Sequence, residues 1–295
     1  GTLISKLGGM IRQLVIAGAF GIGATYDAYN YAYVIPGFFL ILLGGLNGPF
    51  HNAIVSVLSQ VKNKRDSAHI LTSVIWITSF LLILISTTLI IFANPIIRII
   101  GPSLSPEIHM IAVQQLKIMA PITFISGLIG LFFGALNANN QFFLPAVAPI
   151  FSSISIIIFS GYFWLEKQGL DLSDNIFLRG GILIAVGTLI GSILQLLIQV
   201  PSIKNKNLIK LAFIWDFKHS GVKKVLKIMA PATFSSGMLQ INVLTDLFFA
   251  SNIIGAASGL SYANFLIQAP LGLLSNALLI PLLPTLSKLA SENDN

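Results

Sequence analysis

The chain has 295 residues, of which only 9% are charged and 55% hydrophobic, with a mean hydropathy of +0.87. Soluble domains carry charge on roughly 25% of their residues, so a water-soluble globular protein is excluded, and the absence of cysteine excludes disulfides and thiolate metal sites. The net charge of +7 sits in short basic runs between apolar stretches; it speaks for membrane topology, and no nucleic-acid partner is expected.

Taken in chain order, the pattern predicts an all-α, polytopic transmembrane bundle. Eight spans are expected at about 2–22, 27–58, 70–93, 107–137, 143–164, 179–201, 224–250 and 257–286. The first contains "ISKLGGMIRQLVIAGAFG", with Arg12 in mid-span. A charge at that depth costs on the order of 3 kcal/mol and calls for a partner or a wet cavity. A guanidinium fork suits phosphate oxygens; an ion pair with a neighbouring helix is the alternative. Lys6, about 120° away around an ideal helix, either shares a wide cavity with Arg12 or snorkels to the surface.

The second span opens with "TYDAYNYAY". Its tyrosines at 26, 29, 31 and 33 suit an interfacial aromatic belt. Asp27 either caps the helix or contacts a cation as part of a gate. Lys62, Lys64 and Arg65 follow the span, and the third span, "LTSVIWITSFLLILISTTLIIFA", runs uninterrupted over 71–93. Before the fourth, "SPE" at 105–107 offers a Ser N-cap, a Pro at the first helical position and an acid at the positive dipole end. After it, "NANNQ" at 137–141 predicts a tight turn.

The fourth span also carries "KIMAPITFISG" (117–127), which returns on the seventh as "KIMAPATFSSG" (227–237), identical at nine of eleven positions. Three crossings apart, the copies run in opposite directions. In each, a snorkelling Lys precedes a Pro, Pro121 or Pro231, that is expected to bend the helix. Ser126–Gly127 and Ser236–Gly237 then permit close helix contact. A weaker echo joins "AYVIPGFFLILLGGL" (32–46) to "FLIQAPLGLLSNALL" (265–279), through Pro36 and Pro270. Repeats with interrupted helices mark alternating-access transporters. The G-x-x-x-G pairs Gly130/Gly134 and Gly187/Gly191 read as helix packing.

Lysines at 204, 206, 210, 218, 223 and 224 separate the sixth and seventh spans, whereas Glu107, Glu166, Asp171 and Asp174 lie in the alternate loops. Retention of Lys and Arg on the cytoplasmic side places the N-terminus inside. The segment 204–223 reads as an interfacial amphipathic stretch, or a plain basic loop, joining two bundles. Asp246, in "INVLTDLFFAS", is a second deep carboxylate; it pairs with Arg12 or takes Na⁺ or H⁺ as coupling ion. No H-E-x-x-H motif or P-loop is present, and the four His residues show no ligand spacing, so neither enzyme nor cofactor is expected. The chain opens at Gly1 inside apolar sequence and stops at "SENDN", as a piece of a longer protein would.

The stretch "SKLGGMIRQLVIAGAFGIGATYDAYNYAYVIP" (5–36) resembles the opening signature of the MurJ/MviN family of lipid II flippases, relatives of multidrug and polysaccharide exporters. The resemblance continues through "LKIMAP" at 116, the basic loop before 224 and "IPLLPTLSKLA" at 280–290. It implies fourteen spans in two lobes, with residues 1–203 as the first lobe, 204–223 as the linker and 224–295 as the start of the second. It also implies a substrate, an undecaprenyl-pyrophosphate-linked peptidoglycan precursor moved from inner to outer leaflet of a bacterial inner membrane for cell-wall synthesis. Arg12, Lys6 and Asp27 match family cavity positions. Leu40–Ile41 and Asn264–Phe265 stand where the family often has arginine, which leaves open another lipid-linked glycan, a multidrug exporter, or a membrane scaffold that transports nothing.

Overall fold

The computed structural model describes residues 2–45, 48–169, 176–210, 212–238, 240–268 and 270–271, without the side chains of residues 2–4, 6 and 169. The helices are α1 (Thr2–Phe20), α2 (Ala24–Leu42), α3 (Pro49–Leu58), α4 (Lys64–Ile91), α5 (Ala93–Ile100), α6 (Pro106–Met119) and α7 (Ile122–Ala138). They continue as α8 (Phe143–Val147), α9 (Pro149–Gly169), α10 (Ile176–Leu197), α11 (Val200–Asn205), α12 (Ser220–Met238), α13 (Gln240–Ala250) and α14 (256–268). No strand occurs among the described residues. The expected all-α architecture holds.

Four of these runs, Lys64–Ile91, Pro106–Ala138, Phe143–Gln168 and Ile176–Asn205, are long and apolar enough to cross a bilayer by themselves. As far as residue 271, helical segments fall in the expected order, but several are jointed. The second span stops at Leu42 and restarts at Pro49. Gly44, Gly45 and Gly48 favour leaving the helix there, while Pro49 takes the first helical position. Asn63 caps α4 by accepting the Arg65 N–H at 2.9 Å, and Ser105 caps α6 by accepting that of Ile108 at 3.4 Å. The "NANNQ" turn follows α7, with Asn140 in the left-handed region at φ 58°.

The two copies of the repeated phrase behave differently. In the first, helical pairing fails at Ala120–Pro121, and the Thr123 and Phe124 amides reach only three residues back, at 3.1 Å each. In the second, Pro231 lies inside the continuous helix α12, as Pro36 lies inside α2. Pro270 falls in the described part of the eighth segment, while most of its echo, 272–279, lies outside the described residues.

The fourth span is central: 78% of its most apolar stretch is buried, against 33% for α4, whose outer face is left to lipid. Two cores form around it. One joins α1, α2, α5, α6 and α10 with Leu247 of α13 and Ala257 of α14. The other joins α3, α4 and α7 with Val222, Val225 and Met229 of α12. Gly130 and Gly134 let α7 close on the chain of the second span. A Cβ at Gly130 would run into the Leu43 carbonyl, and one at Gly134 would come within 2.7 Å of the Ile54 side chain. The packing reading of that pair holds.

Between α11 and α12 the described part of the basic segment is irregular, with exposed Phe213, Trp215 and Phe217 among its lysines. It folds back on α4. Lys210 N–H donates to Thr72 Oγ1 at 2.9 Å, and the Trp76 indole N–H donates to the Ala212 carbonyl at 3.1 Å.

Candidate functional site

The candidate site is where α1, α2, α13 and α14 converge. Arg12 is half-buried, close enough to Tyr29 and Tyr33 for its charge to act on both phenols. Among the described residues it forms no hydrogen bond and no ion pair. The ion-pair alternative for Arg12, including a pair with Asp246, is therefore not seen. Lys6 lies about 1.7 turns earlier on α1 by the 3.6-residue period; its side chain is outside the described residues.

Asp27 is 3% exposed. Its carboxylate does not cap its own helix. It accepts the Gly255 N–H at 2.6 Å, the Ser258 N–H at 2.8 Å and the Ser258 hydroxyl at 2.6 Å. These groups open α14, so Asp27 caps a helix 228 residues away in sequence and sits at its positive dipole end. Gly255 makes this possible: its φ of +83° turns the chain so that its amide faces the carboxylate.

Of the four tyrosines expected in an interfacial belt, Tyr26, Tyr29 and Tyr31 are instead core residues, with Tyr26 at 3% and Tyr31 at 1% exposure, and Tyr33 is half-buried against them. The phenols of Tyr26, Tyr29 and Tyr31 each find a partner on another helix, as buried hydroxyls must. Tyr26 receives a hydrogen bond from Gln13 at 2.9 Å and bonds Ser261 at 3.1 Å. Tyr29 bonds Thr188 at 3.0 Å, and Tyr31 donates to the Leu247 carbonyl at 3.0 Å. The rings of Tyr262, Tyr26, Tyr29 and Tyr33 stack in sequence, with centroids 5.0, 5.8 and 5.2 Å apart. Tyr and lipid-facing residues look alike in one sequence; only the packing separates them.

Beside this ladder a cleft of about 300 Å³ is lined by Asn30, Tyr33, Ile41, Gln240, Asp246 and Asn264, among others. Asp246 is exposed there and unpaired among the described residues. Ile41, one of the positions where the resemblance calls for arginine, lines this cleft, as does Asn264, the neighbour of Phe265. A larger cavity of about 610 Å³ between α2, α4 and α12, walled by residues such as Phe38, Leu82 and Met229, carries no charged side chain.

A second polar feature escaped the sequence reading, which took the histidines as scattered. Asp66 and His69 on α4 face Asp216 and His219 on the linker. His69 Nε2 bonds Asp216 at 3.0 Å, and His219 Nε2 bonds Asp66 at 3.0 Å. The His69 bond, with the amides of His219 and Lys218, holds the Asp216 carboxyl below its usual range. The signal was available as two D-x-x-H phrases, "DSAH" at 66–69 and "DFKH" at 216–219. No group of three His, Cys, Asp or Glu residues placed to hold a metal occurs among the described residues.

A jointed all-α bundle with four helical runs long and apolar enough to cross a bilayer defines a multi-pass membrane protein. The profile described as "Lipid II flippase MurJ" matches residues 16–295, and the chain belongs to that family. It is 46% identical over 294 residues to the "Probable lipid II flippase MurJ" of Synechocystis sp., covering 99% of this chain and 55% of that protein. It is 29% identical over 303 residues to the "Lipid II flippase MurJ" of Burkholderia cenocepacia, covering 100% of this chain and 56% of that one. A solved structure titled "Lipid II flippase MurJ, inward closed conformation" superposes with a TM-score of 0.72 at 28% identity, covering 92% of this chain and 54% of that one. The chain thus spans about half the length of the curated relatives it matches.

Proposed function

We propose that the protein to which this chain belongs flips a lipid-linked anionic glycan, the peptidoglycan precursor lipid II, from the inner to the outer leaflet of a bacterial inner membrane by alternating access. It does so by binding and conformational change, without covalent chemistry. Its N-terminus lies in the cytoplasm, as the basic runs at 62–65 and 204–224 favour. The observation that carries the reading is Arg12, which lies half-buried beside Tyr29 and Tyr33 with no partner among the described residues. A guanidinium left unpaired at that depth is positioned for an oxyanion such as a pyrophosphate.

In this reading Lys6 adds cationic character on the same helix. Asp27 holds the two lobes together through the N-terminus of α14 in the state closed on its side, and releases it when that side opens. Asp246 takes Na⁺ or H⁺ as the coupling ion. Arg12→Glu should abolish complementation in cells depleted of their own flippase; growth equal to wild type with normal protein levels overturns the assignment.

One observation favours a second reading, another lipid-linked oligosaccharide. The 300 Å³ cleft has Ile41 where the resemblance implies a cation and is lined by Asn30, Gln240, Asn264 and Asp246, so part of the expected pyrophosphate-binding charge is missing while the amides suit sugar hydroxyls. Direct lipid-binding mass spectrometry, with polyprenyl-pyrophosphate glycans of different sugars and a cationic drug, separates these from each other and from a multidrug exporter.

A further inference from the structure

A strongly basic concavity lies away from the transport site. Lys64 and Arg65, at the start of α4, and Lys206 and Lys210, on the linker, line a depression of about 630 Å³ with Asn139 and Asn207. All four cations are exposed, and none has a carboxylate within 4 Å among the described residues. The nearby acids are already engaged, Asp66 by His219 and Asp216 by His69. The N-terminus of the 28-residue helix α4 adds its positive dipole end to the same concavity. Asn207, in the left-handed region at φ 53°, turns the chain after α11.

The position of this concavity relative to the membrane can be read from its neighbours. Lys210 is bonded through its amide to Thr72, one turn and about 6 Å along α4 from Trp76. Trp76 stacks edge-on against Phe213 at 4.9 Å, and the cluster continues through Trp215 to Phe80 and Phe217 at 5.7 and 5.6 Å. These rings are all exposed. Exposed tryptophans in a membrane protein sit at the boundary of headgroups and acyl chains, so the basic concavity adjoins the level of the lipid phosphates.

We propose that this concavity binds the headgroup phosphate of an anionic phospholipid from the adjoining leaflet, with Lys64, Arg65, Lys206 and Lys210 as its cations and the Trp76–Trp215 cluster against its acyl chains. Basic pockets between membrane helices beside an aromatic rim fit such headgroups. A soluble anion would use the cations but leave the aromatic rim without a role. The bound lipid bridges α4 and the linker, supplying negative charge that neither segment directs into the concavity. The proposal does not depend on the substrate of transport, which is read from Arg12.

The test uses the full-length protein in detergent, titrated with phosphatidylglycerol or phosphatidylcholine, with bound lipids counted by native mass spectrometry. Wild type should prefer phosphatidylglycerol, and the preference should fall about fivefold for each pocket cation changed to Gln. A charge-matched control, Lys218→Gln/Lys223→Gln/Lys224→Gln/Lys227→Gln, should keep most of it. Equal loss in both variants means unspecific attraction to a basic linker and overturns the proposal, as does an unchanged preference after Lys64→Gln/Arg65→Gln/Lys206→Gln/Lys210→Gln. Inorganic phosphate competing as strongly as the lipid would reassign the site to a soluble anion, and would also overturn it.

Discussion

Asp27→Asn is the most informative single change. Three hydrogen bonds, at 2.6, 2.8 and 2.6 Å, end on this one buried carboxylate and hold the start of α14 against α2. Bonds to a charged group contribute about 1.5–3 kcal/mol each, and neutral ones about 0.5–1.5. Asparagine keeps one acceptor oxygen and replaces the other with an NH₂ donor. The two Ser258 bonds therefore weaken by about 0.5–1 kcal/mol each and the Gly255 bond, about 1.5–2 kcal/mol, is lost, about 3 kcal/mol in all. That is roughly a 100-fold shift between joined and separated states. Ser258→Ala deletes one bond to the carboxylate and leaves two, about 1.5 kcal/mol, and should fall between this variant and wild type. Ile22 and Ile254, 69% and 82% exposed, flank the contact and accept spin labels. Double electron–electron resonance on the full-length protein should then show a longer-distance population that grows from wild type through Ser258→Ala to Asp27→Asn. Three coincident distributions, or the serine variant opening further than the aspartate one, would show that this carboxylate does not hold the helices together.

Other expectations are equally concrete. Gly130→Leu should lower thermal stability in detergent by about 2–3 kcal/mol, because the side chain has no room beside the Leu43 carbonyl. Gly9→Ala, with nothing within 4 Å of its new methyl, should be neutral or slightly stabilising. Tyr26→Phe removes the partner of both Gln13 and Ser261 and should cost about 1–3 kcal/mol in the same melt; no change would mean water replaces the phenol. Because the His69 bond lowers the folded-state pKa of Asp216, its contribution is full above the unfolded carboxylate value of about 4 and vanishes as pH falls through the lower folded value. Asp216→Asn should thus speed hydrogen exchange over 212–219 at pH 7 and make no difference below both values. If Asp246 takes the coupling ion, Asp246→Asn should flatten the Na⁺ or pH dependence of transport while leaving lipid binding intact.

Much of the architecture was legible because apolar length and basic loops are one-dimensional signals. The order of segments, the Ser105 cap, the "NANNQ" turn and the Gly130/Gly134 contact all follow from local chemistry. What was not legible depended on who faces whom. Tyr26, Tyr29 and Tyr31 read as a lipid-facing belt because a tyrosine near a span end is the same letter whether its ring meets lipid or Gln13 and Thr188. Asp27 could be placed at a helix end, but its partner helix lies more than two hundred residues on. The repeated phrase promised two equivalent bends, yet only the first breaks the helix. Proline removes the same amide in both copies, and the neighbours decide whether the chain opens. The Asp–His clasp was spelled out twice as D-x-x-H, but pairing across 147 and 153 residues is a tertiary fact.

The stacked tyrosines carry one more consequence. Gln13 is the chain neighbour of Arg12, and it grips the same phenolic oxygen that Ser261 of α14 grips from the other side. A ligand that drew the guanidinium aside would tug on Gln13, and the tug would arrive at α14 through a single oxygen atom. Under the proposed function, cargo sensing and the swing of the opposite lobe would then share one short mechanical relay, with the Tyr26 ring as its lever.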